Sequence, residues 1–287
     1  MRPPFLLLTP ACVVLGLATA VWSSDEVSAS YFLLALVGAV CAHISVNAFN
    51  EYWDFKSGLD SKTKRTPFSG GSGTLPARPE LARWPLGIAS ATFALTCLIG
   101  VYFLRVRGVS VLPFGLIGLL VVATYTTRIT RMPFLCLIAP GLGFGWLMVG
   151  GTDFVLTGDY SWTAFFASCV PFFLVSDLLL LNQFPDVEAD RSVGRRHYPI
   201  LIGRRASSLI YGAFLLCAFL SIVLGVRFGY LPSACLIGLI ALVPAVPAFV
   251  GARRYADDVT RLIPFMSLNV LITIATPVLV AMGLFWG

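Results

Sequence analysis

The chain has 287 residues, of which 57% are hydrophobic and 12% charged, with net charge +6 and mean hydropathy +0.86. Soluble domains carry about twice that share of charge. Apolar runs recur from end to end, so a single soluble core is excluded and a multi-pass membrane protein is expected, in one domain over 1–287.

A hydrocarbon core takes roughly 20 apolar residues per helix. The spans expected on that basis are 4–22, 31–50, 85–105, 110–126, 133–151, 163–183, 206–226, 231–251 and 263–286. This is an all-α polytopic protein of about nine transmembrane helices. The first span contains Ala18-Thr19-Ala20, which is like a leader cleavage site. The run is long for a leader, Pro10 interrupts it and only Arg2 precedes it, so a retained span is expected. The seven cysteines all lie in apolar stretches with no CxxC spacing, and they read as reduced, small hydrophobic residues.

Basic residues set the orientation. With the N-terminus in the cytoplasm, all Lys and Arg except Arg105, Arg107 and Arg227 fall inside. The positive charge thus reports topology in the plasma membrane and needs no nucleic-acid partner. No obligate protein partner is evident either. The two long loops, 51–84 and 184–205, are polar, rich in Gly, Pro and Asp, and both cytoplasmic on this reading.

Each loop begins with acids at a helix end. The first cluster runs from Asn47 through Asn50, Glu51, Asp54 and Gly58 to Asp60. Asn50 and Asp54 are four apart and share a helix face. Gly58 is a helix stop that lets Asp60 fold back toward that face. In the second cluster Asn182, Asp186 and Asp190 repeat every four residues, one stripe down one helix, with Pro185 expected to kink it. The clusters end the second and sixth spans, so they lie on the same side of the membrane.

Crowded carboxylates repel each other and resist desolvation. A divalent cation relieves both problems. Mg2+ prefers oxygen ligands and bridges one or two carboxylates to substrate phosphates. Two facing clusters suit two Mg2+ ions and a diphosphate leaving group. One such cluster alone would read as a solvated helix end; two on the same side, each followed by a basic, Gly-containing loop, point to chemistry. Lys64, Arg65, Arg128 and Arg191 are candidate diphosphate contacts, with Arg195 and Arg196 also in reach, although basic residues belong on this face for topological reasons as well.

Two ionisable residues lie deeper. Asp177, within the sixth span, is a catalytic candidate because a carboxyl group there is costly. His43, about two turns below Asn50, is a candidate to orient an acceptor or take a proton. Asn269, Thr273 and Thr276 are expected to tie the last span to its neighbours.

In four segments the chain resembles the UbiA superfamily of intramembrane prenyltransferases: Arg2 through Pro10, Asn50 through Asp60, Arg65 through Leu75, and Asn182 through Gly203. The resemblance implies nine helices around a central cavity, open laterally to lipid and capped by cytoplasmic loops. It implies Mg2+ held by Asn50, Asp54, Asp60, Asp186 and Asp190, with Asn182 beside them. Asp54 and Asp186 are then essential to turnover. Transfer from a polyprenyl diphosphate to an aromatic acceptor, in contact with membrane lipid, is the implied activity. The branch it is most similar to prenylates 1,4-dihydroxy-2-naphthoate in the menaquinone pathway. Glu51, Gln183-Phe184-Pro185 and Asp177 depart from that branch's usual pattern and bear on the acceptor. Relatives on the same scaffold use 4-hydroxybenzoate, homogentisate, chlorophyllide, haem or glycerol-phosphate lipids. A membrane phosphotransferase would need two close acidic motifs with an Ala-Arg pattern, which the chain lacks. A transporter would place its coupling acids near the midplane, where only Asp177 lies.

Overall fold

The computed structural model describes residues 3–24, 26–63 and 65–287, with side chains from Phe5 onward, so Arg2 and Lys64 lie outside the described residues. These residues fold into helices α1 (Phe5–Ser23), α2 (Ala29–Lys56), α3 (Pro79–Thr124), α4 (Pro133–Thr157), α5 (Trp162–Asn182), α6 (Arg204–Arg227), α7 (Ser233–Arg254) and α8 (Val259–Trp286). Among the described residues these eight segments are long and apolar enough to cross a bilayer, where nine were expected. The difference lies in α3, which holds both spans 85–105 and 110–126. Its first half, α3a (Arg83–Arg107), ends at Gly108, whose φ of 71° reverses the chain into the second half, α3b (Leu112–Thr124). Side-chain bonds record the return. Ser45 on α2 donates to the carbonyl of Ala89 early in α3a at 2.9 Å, and Thr126, just past α3b, donates to Asn50 Oδ1 at 3.1 Å.

The main core lies among α1, α5, α6, α7 and α8, around Leu15, Leu174, Tyr211, Ile222, Met266 and Ile272. No water is at hand to satisfy polar groups at this depth, so they pair across helices. Tyr211 donates to Asn269 Oδ1 at 3.1 Å, and Thr273 donates to the carbonyl of Leu174 at 3.3 Å. Asn269 and Thr273 thus link α8 to its neighbours, whereas the Thr276 hydroxyl donates to the carbonyl of Ile272 in its own helix. All seven cysteines are free.

A second, smaller core of Phe103, Val111, Phe154, Val155 and Leu156 sits where α3a turns into α3b. Between it and the acidic clusters lies a cavity of about 500 Å³ lined by α2, α3, α4 and α5. The middle of α4, Gly143–Gly150, is wound as a π-helix, a feature frequent at functional sites, and Gly143, Phe144 and Leu147 face the cavity from it.

Candidate active site

The first acidic cluster is held by the end of α2. Asn50 Nδ2 donates to Asp54 Oδ2 at 2.8 Å, the contact that their spacing of four predicts. The helix stops at Lys56, Gly58 adopts φ 73°, and the short helix Leu59–Lys62 carries Asp60 back to the cavity wall. Over this wall runs the Gly70–Gly73 loop. A Cβ on Gly71 (φ 66°) would sit 2.6 Å from Asp60 Oδ1, so only glycine lets this backbone lie against the carboxylate. Ser72 in the same loop donates to Glu51.

The second cluster is built differently from the single stripe expected. α5 ends at Asn182; Gln183 through Asp186 form a turn; a new short helix, Val187–Ser192, carries Asp190. Pro185 explains the break, since it lacks an N–H and clashes with the preceding turn. Asn182, Asp186 and Asp190 nonetheless all reach the cavity.

The two clusters meet through Arg195. One guanidinium nitrogen donates to Asp54, and another donates to Asp190 Oδ1 at 3.0 Å. His197 Nε2 bonds the other oxygen of Asp190, also at 3.0 Å. Burial disfavours the Arg195 charge, but Asp54 and Asp190 outweigh it and raise its pKa. Burial, followed by repulsion from Asp54 and Glu51, pushes the Asp60 carboxyl up to about 6.

The other candidates divide. His43 lines the cavity, with Nδ1 bonded to Thr9 Oγ1 at 2.6 Å and its ring edge-on to Phe144. Asp177 is wholly buried, but it lies against α6 and α8, away from the cavity lining; its backbone carbonyl accepts from Asn269 at 3.5 Å, and neither of its carboxyl oxygens has a hydrogen-bond partner. Arg65, Arg128 and Arg191 are exposed and lie off the cavity. Arg65 donates to the carbonyl of Gly73 at 3.4 Å, and Arg191 pairs with Glu188 at 3.1 Å. Among the basic residues after Asp190 it is Arg195 that turns inward, while His197 was not singled out from sequence at all. The chain has two histidines, and both line the cavity, which is a signal that composition held.

The model of the UbiA prenyltransferase family matches residues 7–285. This chain belongs to the UbiA prenyltransferase family. As a family member it is a multi-pass membrane prenyltransferase. It is 28% identical over 225 residues to the 1,4-dihydroxy-2-naphthoate octaprenyltransferase of Bacillus subtilis, covering 77% of this chain and 70% of that one. Against the Escherichia coli enzyme of the same name it is 25% identical, covering 99% and 93%. It is also 24% identical to the digeranylgeranylglyceryl phosphate synthase of Pyrococcus abyssi, covering 81% and 79%. Its fold matches that of an apo UbiA homologue from Aeropyrum pernix with TM-score 0.72 at 17% identity, covering 100% and 98%. It also matches a UbiA homologue from Archaeoglobus fulgidus bound to DMAPP and Mg2+, with TM-score 0.57 at 16% identity, covering 98% and 99%.

In this UbiA-family enzyme the mouth of the cavity offers oxygen donors, the type Mg2+ prefers. Asp60 Oδ2 and Asn182 Oδ1 are buried without a hydrogen-bond partner. Among the described residues, no three His, Cys, Asp or Glu side chains gather closely enough to hold an ion unaided. That suits a hard cation whose shell is completed by substrate phosphate oxygens and water; it does not suit a ready-made protein cage.

Proposed function

We propose that this prenyltransferase moves a polyprenyl group from a polyprenyl diphosphate to an aromatic acceptor, 1,4-dihydroxy-2-naphthoate, at the acidic mouth of the cavity. The observation that carries the reading is one continuous cavity, acidic at one end and apolar along its length. Asn50, Asp54, Asp60, Asp186 and Asp190, with Asn182 beside them, would hold Mg2+, which when bound neutralises the diphosphate and makes it a better leaving group.

The remaining work falls to the chain itself. Arg195 lines the cavity, and its guanidinium has N–H groups beyond the two that bind Asp54 and Asp190 with which to donate to a diphosphate oxygen. The allylic C–O bond breaks, a ring carbon of the acceptor bonds the allylic carbon, and the ring loses a proton. With Nδ1 of His43 committed to Thr9, Nε2 is the nitrogen left to receive that proton or to orient the acceptor. The apolar wall keeps out water, which would otherwise capture the cation. The excess of basic residues in the loops at this end supports a mouth that faces the cytoplasm, in a protein of the plasma membrane.

The test is an acceptor screen with purified protein, labelled polyprenyl diphosphate and Mg2+, with an EDTA control. Metal-dependent transfer to dihydroxynaphthoate supports the full reading. Transfer only to another acceptor, such as a glycerol-phosphate lipid, keeps the donor chemistry and replaces the acceptor. No transfer and no diphosphate release from folded protein would overturn it.

A further inference from the structure

The cavity has a measurable depth. On α2 it is lined by one stripe, Ala35, Gly38, Ala42, Val46, Asn50 and Asp54. At 1.5 Å of rise per residue that stripe covers about 28 Å, close to the whole hydrocarbon thickness. The polar residues occupy the end from Asn47 to Asp54. From Asn47 to Ala35 the α2 wall is apolar except for His43, over about 18 Å, and across the cavity Thr96 and Thr152 add two uncharged hydroxyls to a lining that is otherwise mostly apolar.

The far end is closed. Phe103 of α3a, Val111 of the turn that follows, Phe114 of α3b and Val155 of α4 line the bottom. Behind them the aromatic rings interlock, with Phe103 edge-on to Tyr31 at 5.9 Å and Phe114 against Phe154 and Tyr160, each at 5.6 Å. Outside this plug is a polar clasp. Arg107 donates from Nε to the carbonyl of Val155 at 2.9 Å and from Nη2 to that of Leu156 at 2.6 Å, while Tyr160 donates to the carbonyl of Ser110. The clasp ties the α3a–α3b turn to the end of α4, where a cation satisfies the last helix carbonyls. A plug bonded on its outer side does not yield to a tail pressing from within.

Resting on the donor reading above, we infer that Phe103 and Phe114 form the floor of the tail compartment and set the length of prenyl chain the enzyme prefers. An isoprene unit advances about 4–5 Å along an extended chain of ~1.5 Å C–C bonds, so about four units fill the 18 Å above the floor. The preferred donor is therefore of the geranylgeranyl class. A longer tail has to fold or leave between helices, and loses contacts by doing so. Each unit that fits gains apolar burial; each unit beyond the floor gains none.

The test measures donor binding, so that an unknown acceptor does not matter. Non-hydrolysable thiolodiphosphate analogues of geranyl, farnesyl, geranylgeranyl and octaprenyl diphosphate are titrated with Mg2+ into the full chain in nanodiscs. Affinity should rise to geranylgeranyl and fall about tenfold for octaprenyl, the scale on which apolar pockets discriminate. Phe114→Ala deepens the compartment and should move the octaprenyl-to-geranylgeranyl ratio about tenfold toward the longer tail. Gly115→Leu should move the preference toward farnesyl; Gly115 lines the cavity, and a Cβ there meets no atom within 4 Å, so the side chain enters open space. Ratios are taken on a single preparation, so loss of folded protein cancels, and opposite shifts from the two variants cannot come from damage. Octaprenyl binding as tightly as geranylgeranyl, with ratios unmoved by either substitution, would overturn the floor and show the tail leaving sideways. Absence of binding by any analogue would overturn the donor reading itself.

Discussion

Asp54 and Asp190, which stand in separate acidic clusters, are bound by the same guanidinium, that of Arg195. Asn50 holds the other oxygen of Asp54 and His197 the other oxygen of Asp190. Both carboxylates are therefore hydrogen-bonded at each oxygen, and the mouth of the cavity is set before any substrate arrives.

Removing either side of this mouth should stop the reaction. Asp54→Ala and Asp186→Ala are each expected to lower kcat/KM by about a thousandfold or more, the scale of losing a group that stabilises developing charge. The protein should still run as a single peak in gel filtration, because both side chains line the cavity. Wild-type turnover in either variant would remove the metal assignment.

The arginines should separate sharply. Arg195→Gln leaves two buried carboxylates without their shared partner and is expected to cost about 2–5 kcal/mol in donor affinity or turnover, the range for breaking a buried charge pair. Arg191→Gln breaks only an exposed pair with Glu188, worth about 0–1 kcal/mol, so its activity should stay near wild type. Steady-state kinetics on the two purified variants decides the point. Equal losses would return Arg191 to the site.

Asp60 gives the enzyme a pH edge. Its carboxyl is pushed up to about 6, chiefly by burial, so below that pH it holds a proton and above it it is free to ligate. Metal binding must displace that proton. The Mg2+ concentration for half-maximal rate should therefore be flat above pH 6 and rise as pH falls, by at most about tenfold per unit for one carboxyl. Mg2+ titrations across this range test it. Asp60→Asn should weaken Mg2+ throughout and lose the Asp60 part of the slope.

Asp177 should be dispensable for turnover. It is wholly buried beyond the cavity, with neither carboxyl oxygen bonded. An unsatisfied buried polar group costs about 1–3 kcal/mol, so Asp177→Leu, of similar shape, is expected to keep activity and raise the thermal inactivation midpoint. Loss of turnover in folded protein would restore the catalytic part that its sequence position suggested.

Hydropathy and spacing by themselves determined which segments form helices long and apolar enough to cross the membrane, the doubled α3 apart, and which two segments carry the acids. Both are local properties: bilayer thickness fixes the length of an apolar run, and a spacing of four fixes a shared helix face, as Asn50 and Asp54 show. What lies beyond a helix break was decided only by the tertiary structure. Pro185 ends α5, and Gly194, at φ 80°, turns the chain again, so that Arg195 and His197 point inward while Arg191 points out. Gly108 folds two expected spans into one doubled-back run that closes the cavity's far end. Periodicity also could not say which face of α5 meets the cavity, and so could not separate Asp177, packed against α6 and α8, from Leu178 and Leu179 on the cavity wall. Convergence of side chains depends on the directions in which turns send the helices, and those directions are set by packing among distant segments.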